Sequence, residues 1–245
     1  MTLYEWLRWV TLPIMPVHLQ TVNKHIKQLV LNTNINGERM QILDVGGRKS
    51  PYTIGVPATI TLLDVPQESG VKEALNLGFT HDILESIKKK RSNIRDLIVE
   101  DMTQSTLNDN SFDAVVCVEV IEHVLEDDIF VKNIAKVIKK GGWVYFTTPN
   151  GDYIKNEGPD KNPDHVRHYS KTELFNLLEK YFSGVKVQYA VRTGKYRLWG
   201  LRSLKLRKPL RMIKTIIGNL VNSSESNDVE NQSERTAHLI AIAYK

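Results

Sequence analysis

The chain has 245 residues, 41% of them hydrophobic, enough to bury a full core. A lone cysteine, Cys117, excludes an internal disulfide, and no apolar run approaches the roughly 18 residues of a membrane span, so a cytoplasmic setting is expected. The net charge of +5 is local: residues 195–220 carry eight cations and no acid, while the rest holds 25 basic against 28 acidic residues, a net −3.

The N-terminal stretch carries Glu5, Arg8, Pro13 and Pro16 instead of a basic end followed by an apolar run, which argues against a secretion leader. From residue 16 to 30 the apolar positions Val17, Val22, Ile26, Leu29 and Val30 predict a helix with one buried face. Strands are then expected at 40–45, 58–64, 96–101, 112–119 and 143–148, short and apolar throughout, as in a parallel sheet covered on both sides. Only 46–57 separates the first two, too little for a long helix, so one turn from Ser50-Pro51 is expected. Asp82 with Glu85 reads as a capping box, and its helix ends in Lys88 to Arg91. Another helix is expected from Glu126-Asp127 to Lys139-Lys140-Gly141, with Ile129, Ile134, Val137 and Ile138 inward. A third opens at the Ser170–Glu173 box. A sixth strand is expected at 185–191 and a seventh at 236–244, with a basic helical insertion and a polar, flexible linker (222–234) between them. The expected organisation is a helical segment (1–38), a main domain (39–192), the insertion and linker (193–235) and a returning last strand (236–245).

Asp44-Val45-Gly46-Gly47 closes the first strand with a glycine turn, and Asp64 ends the next strand twenty residues later. Glycines let a ligand approach the backbone, and a carboxylate at the neighbouring strand end can accept two ribose hydroxyls. Arg48 and Ser50 stand where a dinucleotide fingerprint has further glycines. The expected ligand is therefore a smaller adenosine-type cofactor.

With Asp101, Asn110-Ser111-Phe112-Asp113 and Lys140-Gly141-Gly142 added, the chain resembles the class I S-adenosylmethionine-dependent methyltransferases from about residue 41 to 182 and again from 236. Glu119-Val-Ile-Glu122-His123, Thr148-Pro149-Asn150 and His165-Val-Arg167-His168-Tyr-Ser170 resemble the small-molecule branch that includes ubiquinone-biosynthesis-type O-methyltransferases. The resemblance implies an α/β, Rossmann-like, doubly wound seven-stranded sheet with an antiparallel last strand. It also implies that Asp44, Gly46 and Gly47 contact the methionine part of S-adenosylmethionine. Asp64 would take the ribose, Asp101 the adenine amino group and Met102 the adenine ring, and Arg48 is a candidate for the cofactor carboxylate.

Methyl transfer to a hydroxyl needs alignment and a proton acceptor. His123 is the candidate base, with Glu119 and Glu122 beside it and His165, Arg167 and His168 on a loop over the acceptor. The competing reading of His123 is a packed residue at a helix start. Glu119, Glu122 and His123 also have the spacing of a divalent-cation site, resembling metal-dependent small-RNA 2′-O-methyltransferases. The expected acceptor is small or lipid-linked; the alternatives are RNA, or a binding module without catalysis. In the insertion, Leu198, Trp199, Leu210, Ile213 and Ile217 interleave with cations, so an anionic membrane surface is an expected partner of 195–220, at the inner membrane face. The competing reading is a lid packed on the domain.

Overall fold

The computed structural model describes residues 1–33, 37–47, 50–65, 78–202 and 208–245, and within these the side chains of all but 78–82 and 160. The apolar runs build one sheet from β1 (Gln41–Val45), β2 (Thr59–Asp64), β3 (Ile94–Val99), β4 (Phe112–Val118), β5 (Ile138–Pro149), β6 (Ser183–Arg192) and β7 (Thr236–Tyr244). Its order is β3-β2-β1-β4-β5-β7-β6, with β1 to β5 parallel and β7 antiparallel to both β5 and β6. This is the expected architecture.

Among the described residues seven α-helices flank the sheet: α1 (Leu3–Thr11), α2 (Val17–Asn32), α3 (Gly78–Lys90), α4 (Asp127–Val137), α5 (Lys171–Glu179), α6 (Lys195–Gly200) and α7 (Pro209–Glu225). Strand alternation divides the core into two layers. Leu43, Val115, Cys117 and Phe146 pack with Ile134 of α4 and Leu174 and Leu178 of α5. Ile42, Ala114, Val116 and Tyr145 pack on the opposite side with Val22, Ile26 and Val30 of α2. The helix expected near residues 16–30 therefore belongs to the core.

Several boundaries differ from the expectation. β3 starts at Ile94 and ends at Val99, so Asp101 lies beyond the strand and caps a short 3-10 turn, Met102–Gln104. α3 is already helical at Gly78, and Asp82 does not start it. In α4 the inward residues include Phe130 and Val131, while Ile129 is exposed, because the helix is rotated relative to the expected face. That helix stops at Val137, and β5 begins at once with Ile138 opposite Phe112. The Lys-Gly-Gly stretch is a bulge within the strand pair, with Gly141 left-handed at φ +78°. The segment 46–57 holds compact turns among its described residues. Residues 222–234 are not a loose linker: α7 continues to Glu225, Asn222 and Val229 are buried, and Tyr189 donates its backbone N–H to Glu230 O.

Candidate functional site

Connections run in opposite directions on the two sides of the β1–β4 pair, so the carboxyl ends of β1, β2 and β4 border the crevice where open α/β sheets take ligands. Gly46 turns the chain there with φ +72°, and a Cβ on it would lie 2.5 Å from Val120 Cγ2. A Cβ on Gly47 would lie 2.7 Å from Asp44 Cγ and 3.0 Å from Oδ1. Gly47 lets the turn lie against the Asp44 side chain, and Gly46 lets it lie against Val120. Asp44 is buried; its Oδ2 accepts from the Thr53 hydroxyl, and its Oδ1 has no hydrogen-bond partner. Arg91 secures the arrangement by donating to Thr53 Oγ1 at 2.7 Å and to Ser50 O at 3.3 Å. Burial raises the Asp44 pKa to about 6, against the lowering effects of the Thr53 bond and the Arg91 charge. A carboxylate with one bare, buried oxygen is arranged to receive a cationic group.

Asp64 ends β2, half-buried. Asp101 is exposed, and its Oδ1 accepts from Thr103 N at 2.8 Å, while the neighbouring Glu100 accepts from Thr106 N. Met102 is buried, and its carbonyl accepts from Asn133 Nδ2. Arg48 lies outside the described residues.

Beyond β4 the chain parts its two glutamates. Glu119 adopts a left-handed φ of +54°, costly for a side-chain-bearing residue and typical of functional turns. Its carboxylate accepts from Thr147 Oγ1 at 2.7 Å and from His238 Nδ1 at 3.2 Å. Burial works against ionisation of Glu119, but His238 and Thr147 outweigh it and hold the carboxyl well below its ordinary value. Glu122 points elsewhere. It is buried, Oε2 accepts from Thr148 Oγ1 at 3.1 Å, and Oε1 has no partner. Burial, then the charge of Glu119, raises its pKa to about 8.

Among the described residues two clusters have ligand atoms close enough for a metal ion: Glu122–His123–His165 and His18–Glu119–His238. Their hydrogen bonds separate them chemically. In the first, His123 Nδ1 faces the Asp164 carbonyl at 2.8 Å, so it carries the proton and leaves Nε2 with a free lone pair. His168 Nδ1 likewise donates to Ile154 O, which makes His168 Nε2 the acceptor for His165 Nδ1–H at 2.7 Å. His165 Nε2 is then free as well. Two imidazole lone pairs join a carboxylate with a bare oxygen, a set able to hold a divalent cation or take a proton. The expected Glu119–Glu122–His123 grouping is thus replaced by Glu122–His123–His165, because Glu119 turns to the other side of the strand end.

The second cluster has the opposite character. Arg197 donates to His238 Nε2 at 3.2 Å, so His238 carries its proton on Nδ1 and gives it to Glu119 instead of binding a metal. The His18 ring stacks on His238 with centroids 3.9 Å apart and planes within 16°, so one ion cannot lie in both ring planes. His18 is buried, neither of its nitrogens has a hydrogen-bond partner though Nε2 lies 3.6 Å from Glu119 Oε1, and burial lowers its pKa to about 3. It is a neutral base. These residues line a cavity of about 270 Å³ whose other walls include Tyr52, Val191 and Leu201.

Of the loop residues, His165 joins the Glu122 cluster and His168 orients it. Arg167 does not face an acceptor: it pairs with Asp127 and donates to Leu125 O, and Tyr169 also donates to Asp127, which pins the loop to the start of α4. Sequence reasoning missed His18, Thr53, Arg91 and His238. His238 had a signal, since an antiparallel last strand must begin at the edge where the parallel strands end. Arg197, read there only as part of the surface charge, turns inward.

A methyltransferase-domain family model matches residues 57–146. The ubiquinone biosynthesis O-methyltransferase of Chromobacterium violaceum is 25% identical over 176 residues, covering 66% of this chain and 68% of that protein. The enzyme of the same name from Colwellia psychrerythraea is 24% identical over 208 residues, covering 76% and 80%. Among solved structures, the YcgJ protein of Bacillus subtilis superposes with a TM-score of 0.57 at 17% identity over 91% of this chain and 98% of that one. A SAM-dependent methyltransferase from Archaeoglobus fulgidus gives 0.56 at 16% over 93% and 94%. Residues 57–146 thus carry a methyltransferase domain, and with the sheet order these likenesses support a class I S-adenosylmethionine-dependent methyltransferase.

Proposed function

We propose that this enzyme methylates a hydroxyl oxygen of a small or lipid-linked acceptor bound in the cavity beside Glu119. The cofactor, S-adenosylmethionine, supplies an electrophilic methyl group on a sulfonium. Two features support its seat here: Asp44 Oδ1 has no hydrogen-bond partner and would take its ammonium group, and Gly46 and Gly47, lacking Cβ atoms, let the turn lie close against Val120 and Asp44 so that backbone faces the methionine part. Asp64 is assigned the ribose. Asp101 and Met102 are assigned the adenine, with the Asp101 carboxylate giving up its capping bond or sharing it.

The observation that carries the choice of oxygen is His18. A hydroxyl must lose its proton on methylation, and the uncharged His18 imidazole, lining a cavity at the end of β4 with Nε2 3.6 Å from Glu119 Oε1, is placed to take it with the Glu119 carboxylate favouring the imidazolium that forms. Glu119 and His238 hold each other and fix the cavity floor. The apolar walls keep water from competing for the methyl group. Incubation with methyl-labelled cofactor and separated extracts tests the reading: label should enter small-molecule or lipid fractions, and His18→Gln should lower the rate at least about tenfold with cofactor affinity unchanged. Label confined to protein would overturn it.

One second reading is favoured by a specific observation. The free lone pairs of His123 and His165 beside the bare Glu122 Oε1 suit a divalent cation, and a metal-bound hydroxyl acceptor such as an RNA ribose would then react. Activity on RNA, abolished by chelation and by both Glu122→Ala and His123→Ala, distinguishes this from the first.

A further inference from the structure

Two helices of this chain are turned inside out. In α1 the one buried residue is Glu5, 2% exposed, while Leu3, Tyr4, Trp6, Leu7, Trp9 and Val10 all face outward. The inversion is built, not slack: Glu5 accepts from Ser92 N at 2.8 Å and from Ser92 Oγ, and closes a capping box with Thr2. In α7 the buried positions are Thr215, Gly218, Asn219 and Asn222, a small and polar face at helical spacing. Its apolar positions Leu210, Ile213, Ile217 and Leu220 are exposed, Leu210 at 83%. The inward face is fully used. A Cβ on Gly218 would meet Trp199 Cβ at 2.8 Å, Asn219 Nδ2 donates to Ile14 O, and Asn222 Nδ2 donates to Arg192 O. Asn219 thereby ties α7 to the turn that follows α1, and exposed Leu198 of α6 and Leu201 just after it add to the apolar surface.

Apolar exposure on this scale marks a surface that meets something else. Its charge says what. Lys195, Arg202, Lys208, Arg211 and Lys214 are exposed, and among the described residues none of them is in an ion pair. Lys214 sits 4.1 Å from the Trp199 ring centroid, and no acidic residue occurs between 195 and 220. Between α1 and α2 an open apolar groove of about 680 Å³ runs from Trp9 and Leu12 to Leu31, with Lys24 and Lys27 on its wall. Aromatic and aliphatic side chains beside unpaired cations match the boundary between acyl chains and anionic headgroups. A second copy of the chain would bring like charges together.

We infer that α1, α6 and α7 form one interfacial face that seats the enzyme on an anionic bilayer, without crossing it, beside the cavity that holds His18. This face lies outside the family-matched residues and stands independently of the acceptor's identity. The cavity is lined by Leu201, which is exposed on this face, and by Asn219 and Asn222 from the inward side of α7, so docking brings the Leu201 edge of the cavity to the lipid surface.

The test uses the full chain and sedimentation with vesicles of phosphatidylcholine alone or mixed in equal parts with phosphatidylglycerol. Binding to the mixed vesicles is expected, with a blue shift of tryptophan emission, and little to the neutral ones. Trp6→Glu with Trp9→Glu, and separately Ile213→Glu with Ile217→Glu, should each weaken binding at least about tenfold. All four positions are exposed, and an unchanged thermal shift with S-adenosylhomocysteine certifies that each variant is folded. Equal binding by either variant pair and the parent overturns the joint face. Equal binding to neutral and anionic vesicles overturns the role of charge. No vesicle binding, with a dimer that Ile213→Glu dissociates, assigns the face to a second copy and overturns the proposal.

Discussion

Replacing Asp44 by Asn should make the protein more stable and a poorer enzyme. In the ligand-free chain this carboxylate is buried, its pKa is raised from an ordinary 3.8 to about 6, and one oxygen is unpartnered. Holding it ionised above that value costs the folded state up to about 3 kcal/mol, a penalty that grows as pH rises through roughly 4 to 6, where the folded chain holds a proton that the unfolded chain has released. Asn keeps the acceptor for Thr53 and has no charge to desolvate, so ligand-free stability should rise by about 1–3 kcal/mol near neutral pH and the pH-dependent loss should vanish. Binding moves the other way. A charge-assisted bond to the cofactor ammonium is worth about 1.5–3 kcal/mol, so affinity for S-adenosylhomocysteine should fall about 10- to 150-fold. Parent affinity should itself tighten from roughly pH 5 to 7 as Asp44 ionises, and the Asn variant's should not. Calorimetric titration and thermal unfolding across that range measure both halves. An Asn variant that binds within about twofold of the parent, or is less stable without ligand, refutes the assignment of Asp44.

Gly47→Ala should weaken S-adenosylhomocysteine binding by at least about tenfold in the same titration, since its Cβ would fall 2.7 Å from Asp44 Cγ. Thr53→Val removes the hydroxyl that lowers the Asp44 pKa, so the pH at which binding tightens should move upward, read from affinity against pH. Glu122, raised to about 8, is protonated at neutral pH; stability should fall as pH rises from about 4.5 through 8, and Glu122→Gln should flatten that fall in unfolding curves. If a divalent cation occupies the Glu122–His123–His165 set, binding of manganese near neutral pH should release about one proton, seen as a buffer-dependent heat that Glu122→Gln abolishes. Ser170→Ala should cost about 1 kcal/mol in unfolding free energy through loss of the α5 capping box.

The fold was legible because parallel strands buried on both faces leave continuous apolar runs and because turn and cap residues separate them. Errors fell where tertiary packing overrides local pattern: Lys139 to Gly142 looks like a helix stop but is a strand bulge, and the polar stretch after 222 looks loose but is held by the buried Asn222 and Val229. The cofactor crevice was readable through Asp44, Gly46 and Gly47, which sit in one short segment. Thr53 and Arg91, which hold Asp44, were not, because their contact to it exists only after the crossover and α3 have packed. The acceptor side was readable only in part. His18, Arg197 and His238 come from three separate segments, and Glu119 and Glu122, three residues apart, were read as one group until the left-handed turn at Glu119 parted them.

The most direct test of the account is the fate of a carbon-13 methyl group carried by S-adenosylmethionine, followed by nuclear magnetic resonance after incubation with the enzyme and separated cell extracts. The account predicts a methoxy carbon in a small or lipid-linked product, formed slowly by Asp44→Asn and by His18→Gln. Label appearing as an N-methyl or C-methyl group, or transfer indifferent to both substitutions, would contradict it.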